Sequence, residues 1–569
     1  MVLAHRRARW SDRPVPPTEP RAVSRRTALR AGGAVLGAAA LAAVCASPAS
    51  AQNSVFAHGV ASGDPLPDRV ILWTRVTPAP GAAPGSGLGA ATAVRWEVAT
   101  DGDFRDVVAS GSVTTSPVSD HTVKVDATGL EPDTAYVYRF TAGDVSSPVG
   151  RTRTAPGPDT DPDRLRFAVV SCSNWEAGFF GVYRHLAARP DLDAVVHLGD
   201  YLYEYGTGEY AAGDRVVRPH DPRHEIVTLA DYRIRHGQYK SDPDLQRLHA
   251  LVPWIVVWDD HESANDAWSG GAENHDPAVE GIWADRRAAA LQAYLEWQPV
   301  RPGGTTDAPR LYRRLQFGSL AELSMLDLRS YRSEQVNGRR LDDPERTITG
   351  AEQMAWLTAG VASSGTRWQL VGNPVMIAPV LLPPLDERTT AALTAVAGIP
   401  AAGAPFNVDQ WDGYPADRRR LLDAIRASGR DVVFLTGDIH SSWAADIPVD
   451  AANYPGAGTV ATELVVPSVT SANIDELLGV APRTVSPSIE AAVQATNRHI
   501  GYVELDSHGF GILDVTADAV QMDWFYVLDP TDPGTGVRYG TSRRVAAGTP
   551  RLAPAGPLDP GAHRRADRP

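Results

Sequence analysis

Cysteine, tyrosine, histidine and aspartate are the side chains that hold transition metals and calcium, and here they recur at the ends of four apolar runs. Phe167-Ala168-Val169-Val170 leads into Ser171-Cys172-Ser173-Asn174. Ala194-Val195-Val196-His197-Leu198 leads into Gly199-Asp200-Tyr201-Leu202-Tyr203-Glu204. Trp254-Ile255-Val256-Val257-Trp258 leads into Asp259-Asp260-His261-Glu262, with Asn265 a helical turn on. Val432-Val433-Phe434-Leu435-Thr436 leads into Gly437-Asp438-Ile439-His440. A single Gly-Asp or Asp-His pair is ordinary turn chemistry. Candidate ligands at four strand ends of an α/β sheet, where such folds bind ligands, point to one shared crevice. If Asp200, Asp260 and Asp438 converge there at about 4 Å, each pair repels by about 4 kcal/mol at an effective dielectric near 20. Protonation or bound cations must offset that, and cations also suit the neighbouring thiol, phenol and imidazole.

The elements that position these residues follow from the texture of the chain. Residues 52–154 read as all-β: short runs such as Val70-Ile71-Leu72-Trp73 and Val94-Arg95-Trp96-Glu97-Val98 alternate with Gly, Pro and Asp turns. The segment Leu130-Glu131-Pro132-Asp133-Thr134-Ala135-Tyr136 is similar to the tyrosine corner of fibronectin-like sandwiches, so a small sandwich domain is expected. A Pro- and Asp-rich linker at 155–163 follows. From 164 to 530 apolar strands alternate with helical stretches such as Leu229–His236, Ala284–Trp297 and Ala416–Ser428, the pattern of an α/β layered domain. Residues 377–405 read as a surface insertion, and 531–569, rich in Pro, Gly and Arg, as a flexible tail.

Residues 1–51 have the form of a signal peptide: a basic stretch, the pair Arg25-Arg26, an uncharged run from Ala31 to Val44, and Ala49-Ser50-Ala51. Export by the twin-arginine machinery is expected, to a secreted or cell-wall-associated location. The uncharged run is too short to span a bilayer, so no integral membrane segment is expected in the mature chain. Cleavage would remove eight arginines, Asp12 and Glu19, leaving a chain still more acidic than its formal charge of −14. Such a chain repels nucleic-acid backbones, so no nucleic-acid-binding role is expected. Cys45 leaves with the leader, and Cys172 then has no partner for a disulfide. Spacing alone leaves it as a packing residue, a metal ligand or a nucleophile.

The motifs Ser171-Cys172-Ser173, Gly199-Asp200-Tyr201-Leu202-Tyr203-Glu204, Trp258-Asp259-Asp260-His261-Glu262, Asp327-Leu328-Arg329-Ser330-Tyr331-Arg332 and Gly437-Asp438-Ile439-His440 resemble those of the PhoD-type alkaline phosphatase and phospholipase D family. The resemblance implies a calcineurin-like metallophosphoesterase domain, a layered β-sandwich flanked by helices, with Fe3+ beside Ca2+. It implies Cys172, Tyr203 and His440 as iron ligands, Asp200 as the bridge, and Asp260 and Asp438 on calcium. His261, Asn265 and Arg329 fit phosphate recognition, Arg329 as a bidentate fork and His261 as a proton donor or phosphate contact. Asp259 and Glu262 read as supports for these groups, while Glu204 and Trp268 have no assigned role. The reaction expected is phosphomonoester hydrolysis through metal-activated water or oxide, with phosphodiester or phospholipid cleavage as the alternative. No sequence around Ser171 or Ser173 resembles a nucleophile elbow, which argues against a covalent serine route. The reading from another class is a structural metal cluster in a secreted binding protein, and such a site would have no need of Arg329 or His261 nearby.

Overall fold

Runs such as Phe167-Ala168-Val169-Val170 carry no polar residue on either face, so they must be buried on both sides, as central parallel strands are. The computed structural model describes residues 55–210, 215–382 and 404–559, with five single positions between 386 and 393; the leader expected at 1–51 lies outside the described residues. In it, Arg164–Val170, Ala194–His197 and Trp254–Val256 are adjacent parallel strands at the centre of a ten-stranded sheet. A seven-stranded sheet holds a second parallel set, Ala321–Met325, Trp368–Asn373, Asp431–Thr436 and Thr459–Val465. The two sheets pack face to face over Phe167, Val169, Val196, Leu323, Leu370, Val433, Leu464 and Trp524. Helices Gly181–Ala187, Leu229–Tyr239, Pro243–Leu251 and Trp283–Trp297 cover the outer face of the larger sheet. Ala351–Ser363 and Pro415–Ser428 cover the smaller one. The result is the layered sandwich flanked by helices. Among the described residues no helix is long and apolar enough to cross a membrane.

The amino-terminal strands form two packed sheets, but one of these is continuous with the larger sheet instead of being set apart by the segment 155–163. Strands Val60–Leu66, Arg69–Arg75 and Thr122–Thr128 continue the ten-stranded sheet, with Val60–Leu66 parallel to Trp254–Val256. Gly63 permits this pairing, since a Cβ there would stand 2.7 Å from the Trp254 carbonyl oxygen. Asp64 adds a buried tie across the junction, accepting from Arg313 Nε and Nη2 at 2.7 and 2.6 Å. The outer faces of the three strands pack on a five-stranded sheet that includes Thr92–Ala99 and Ala135–Ala142. Tyr136 accepts the Glu131 N–H at 2.8 Å, the short-range bond expected of a tyrosine corner.

Two further expectations are corrected. The supposed tail contains strands Val537–Ala546 and Leu552–Ala555 at the edge of the large sheet, and Val545 is in the central core. Its arginines are part of the packing: Arg538 lies 4.8 Å from the Tyr526 ring centre and Arg543 5.0 Å from that of Tyr502. Residues 560–569 lie outside the described residues. The supposed insertion at 377–405 begins in the core, with Ile377, Ala378 and Val380 buried and the first two backbone N–H groups bound by Glu463.

Lys240 is buried where the first strands meet the helices. Its Nζ lies 3.1 Å from His249 Nε2 and 4.6 and 5.3 Å from the ring centres of Trp73 and Tyr201. No carboxylate pairs with it among the described residues, and burial pushes its amine well below the usual lysine range. The unfolded chain holds that proton below about pH 10.4 and the folded one does not, so each pH unit below 10.4 removes about 1.4 kcal/mol of stability until the folded pKa is reached. Lys240→Met keeps an unbranched apolar stem and escapes this loss. The expected result is a Tm advantage of the variant over the parent that widens as pH is lowered from 10 to 7. A margin independent of pH would refute the neutral buried amine.

Candidate metal centre

The three central strands of the larger sheet and Asp431–Thr436 of the smaller one end on the same side of the sandwich, and their next residues meet. Gly437 lets the two sheets approach: a Cβ on it would stand 2.7 Å from Cys172's neighbour Ser171 Cβ. Cys172, Asp200, Asp438 and His440 all adopt left-handed backbone conformations, with φ of 59, 54, 66 and 51°. Each costs about 1–3 kcal/mol in an L-residue without glycine's freedom, and such outliers gather where geometry serves chemistry. The loops are held by specific bonds. The Cys172 N–H donates to the Gly199 carbonyl at 3.1 Å and the Ser173 N–H to that of Asp200 at 2.8 Å. The Glu262 carboxylate accepts the N–H groups of Asp200, Tyr201 and Asp259 at 3.1, 2.6 and 2.8 Å, which locks two of the four loops together.

Ligand atoms of Cys172, Asp200 and His440 lie within 4.8 Å of one another. The Tyr203 hydroxyl joins them, 3.2 Å from Asp200 Oδ2 and 3.2 Å from His440 Nε2. Asp200 also groups with Asp260 and His261, and Asp260 with Asp259 and Asp438, inside the same limit. All six residues expected to bind metal are therefore brought together, and Asp200 is shared between the sulfur-containing pocket and the carboxylate-rich one. The His440 ring is set by Nδ1 donating to the Ala472 carbonyl at 2.9 Å, which leaves Nε2 facing the cluster.

The donor set fits cations. Asp200 Oδ1 and Asp260 Oδ1 are buried without a hydrogen-bond partner. Burial, and then Asp200, pushes the Cys172 thiol and the Tyr203 phenol well above their usual ranges. Burial also raises Asp200 and Asp438 well above the carboxylate range, and it lowers His440 to about 4. Left to themselves these groups would stay neutral, and a bound cation reverses that by favouring thiolate, phenolate and carboxylate. Thiolate, phenolate and imidazole suit a transition metal, while the pocket of Asp259, Asp260 and Asp438 offers only oxygen donors, which suit calcium.

Arg329 is placed otherwise than expected. It is buried, and its fork is already filled: Nε and Nη2 donate to Asp259, Nη1 to Asp409 Oδ2 at 2.8 Å, and Nη2 lies 3.2 Å from Asp438 Oδ1. It acts as an internal countercharge that holds the carboxylates, not as an open fork for phosphoryl oxygens. The Asn265 side chain, half-buried, donates to Glu273 at 3.3 Å rather than into the cluster, and its backbone N–H donates to Glu204 at 2.7 Å. His261 does face the cluster. Its Nδ1 is 2.7 Å from Glu204 Oε2, and although burial alone would lower its pKa, Glu204, Asp200 and Asp260 together hold it well above the usual range.

Two residues of this arrangement went unassigned in the sequence. Glu204 sits within the Gly-Asp motif, but nothing there signals that it holds His261, Asn265 and, at 3.1 Å, Asn274. Asp409 follows no apolar strand, so it carried no signal, yet it binds Arg329, Arg332 at 2.6 Å and Gln335 at 2.7 Å. Burial would raise its carboxyl, but the two guanidinium groups outweigh that and hold it below the usual range.

A family profile for the PhoD-like phosphatase matches residues 167–524, and one for the PhoD-like phosphatase N-terminal domain matches residues 40–156. Alkaline phosphatase D of Bacillus subtilis (strain 168) is 37% identical over 501 residues, covering 85% of this chain and 79% of that protein. The solved structure of PhoD superposes with a TM-score of 0.78 at 35% identity, covering 90% of this chain and 94% of that one.

Removing the Arg329 charge leaves Asp259 and Asp409 buried and short of a partner. Arg329→Met is expected to lower the unfolding free energy by about 3–5 kcal/mol in urea titrations. A variant of unchanged stability whose only defect is a raised KM would restore the open-fork assignment.

Proposed function

The chain belongs to the PhoD-like phosphatase family, and on that premise we propose that it is an exported, metal-dependent alkaline phosphatase acting on phosphomonoesters. The observation that carries this reading is the convergence of Cys172, Asp200, Tyr203, Asp260, Asp438 and His440 at four strand ends, with Asp200 common to two groups of donors. Cys172, Tyr203 and His440 would hold iron(III), Asp260 and Asp438 calcium, and Asp200 both. Bound there, these ions would polarise the phosphoryl oxygens and acidify the attacking water.

The protein's own groups supply the rest. Glu204 fixes the His261 ring through Nδ1. That leaves Nε2 to donate a proton to the departing ester oxygen, so that the alcohol leaves neutral. Arg329 keeps Asp259 and Asp438 in place against their mutual repulsion. Glu262 sets the loop that carries Asp200 beside the one that carries Asp260. Export by the twin-arginine route is supported by the basic pair Arg25-Arg26 and the Ala49-Ser50-Ala51 site.

Rates on p-nitrophenyl phosphate and bis-p-nitrophenyl phosphate test the substrate assignment. Faster turnover of the monoester is expected, and much faster turnover of the diester would replace this reading with a phosphodiesterase. The visible spectrum of purified protein tests the metals. A charge-transfer band from iron(III) is expected, lost in Tyr203→Phe. Cys172→Ala is expected to fold but to lose iron and activity together. A colourless active enzyme containing only zinc would refute the iron assignment.

A further inference from the structure

Beside the candidate metal centre stands a row of aromatic rings, of which the reaction above uses Tyr203 and His261 but not Tyr205 or Tyr210. Tyr203, at the cluster, lies 5.2 Å between ring centres from Tyr210 at an interplanar angle of 31°. Tyr210 in turn stacks on Tyr205 at 4.8 Å and 18°. His261 closes the row from the side, 4.1, 5.1 and 5.8 Å from the rings of Tyr203, Tyr210 and Tyr205. Tyr203 and His261 are buried, whereas Tyr205 and Tyr210 are half-buried. Neither of their hydroxyls has a hydrogen-bond partner among the described residues. The row therefore runs outward from the cluster, and Tyr205 ends it.

The backbone under these rings is fixed. Arg235 Nη1 donates to the Tyr205 carbonyl at 3.2 Å. The Gly208 N–H donates to the buried Glu176 at 2.8 Å, and the Thr207 N–H to the Arg223 carbonyl at 2.8 Å. The rings bring no formal charge, in contrast to Asp259, Asp260, Asp409 and Asp438 around Arg329. A fixed, neutral tyrosine face at the side of a phosphoester site suits a flat neutral group.

We propose that the Tyr205–Tyr210 stack is a substrate subsite, and that the group it takes is an aromatic ring carried by the phosphate ester on a short stem. This rests on the phosphoesterase reading above and adds the class of ester to it. A further ring on a tyrosine face is worth about two- to twelve-fold in affinity beyond its buried area. Edge contact with His261 would bring the same ring beside the imidazole that faces the departing oxygen.

The test compares 2-phenylethyl phosphate with 2-cyclohexylethyl phosphate, whose alcohols are similar in acidity and bulk, by release of inorganic phosphate from the metal-loaded enzyme. The parent protein is expected to favour the phenyl ester by about tenfold in kcat/KM. Tyr205→Leu should bring the ratio close to one, and Tyr205→Trp should hold or raise it. A merely structural stack would leave the ratio unmoved, so a parent ratio near one, or Tyr205→Leu with the parent ratio, overturns the subsite. If Tyr205→Leu is inactive on both esters, Tyr205→Trp decides: a maintained or raised ratio supports the subsite, and a ratio near one overturns it. Failure of the parent to release phosphate from either ester or from p-nitrophenyl phosphate would sink the phosphoesterase reading, and this subsite with it.

Discussion

Asp259, Asp260, Asp409 and Asp438 surround one buried guanidinium, Arg329, and this imbalance of charge governs what the strand ends can do. Arg329, even with Arg332 on Asp409, cannot neutralise these four carboxylates together with Asp200 nearby. Burial first, and then the neighbouring carboxylates, raise the proton affinity of Asp200 and Asp438, and one oxygen each of Asp200 and Asp260 has no hydrogen-bond partner. Every support in the neighbourhood answers this imbalance. Glu262 spends its acceptors on backbone N–H groups, Glu204 fixes the histidine that faces the anions, and Arg332 shares the load at Asp409. Four left-handed residues carry the remaining strain. The donor groups gathered here fit multivalent cations.

The layered architecture makes this concentration of charge tolerable. Parallel strands deliver their ends to one side, so the polar loops need not interrupt the core between the sheets. Three loops with candidate ligands come from one sheet and the fourth from the other, so a relative shift of the sheets would pull His440 and Asp438 away from Cys172. The dense packing of Phe167, Leu370, Val433 and Trp524 between the sheets resists that shift.

How far the site was legible depended on whether local sequence carries the constraint. Cys172, Asp200, Tyr203, Asp260, Asp438 and His440 stand directly after apolar strands, and strand direction alone sends them to one place. Arg329 was legible as a member of a motif but not in its role, because its partners Asp259 and Asp409 are 70 and 80 residues away. Asp409 follows no strand, so no periodicity marks it. The amino-terminal strands read correctly as β, but pairing with Trp254–Val256 depends on the space above Gly63 and on the tie from Asp64 to Arg313. The carboxyl-terminal strands were hidden by composition. Their arginines lie over tyrosine rings, where guanidinium groups contribute packing as well as charge.

The ten-stranded sheet has a consequence for how the protein is made. Arg164–Val170, which leads into Cys172, is flanked on one side by Gly509–Thr516, and the sheet beyond that strand is built from residues up to Ala555. During synthesis the strand before the cysteine keeps a bare edge until nearly the whole chain has emerged, while earlier strands can already pair. Closure of the sheet is a late event of high contact order, and until it occurs the nascent chain presents an apolar edge open to the wrong neighbour. A chaperone that covers this edge would therefore protect the nascent chain until its last strands are made.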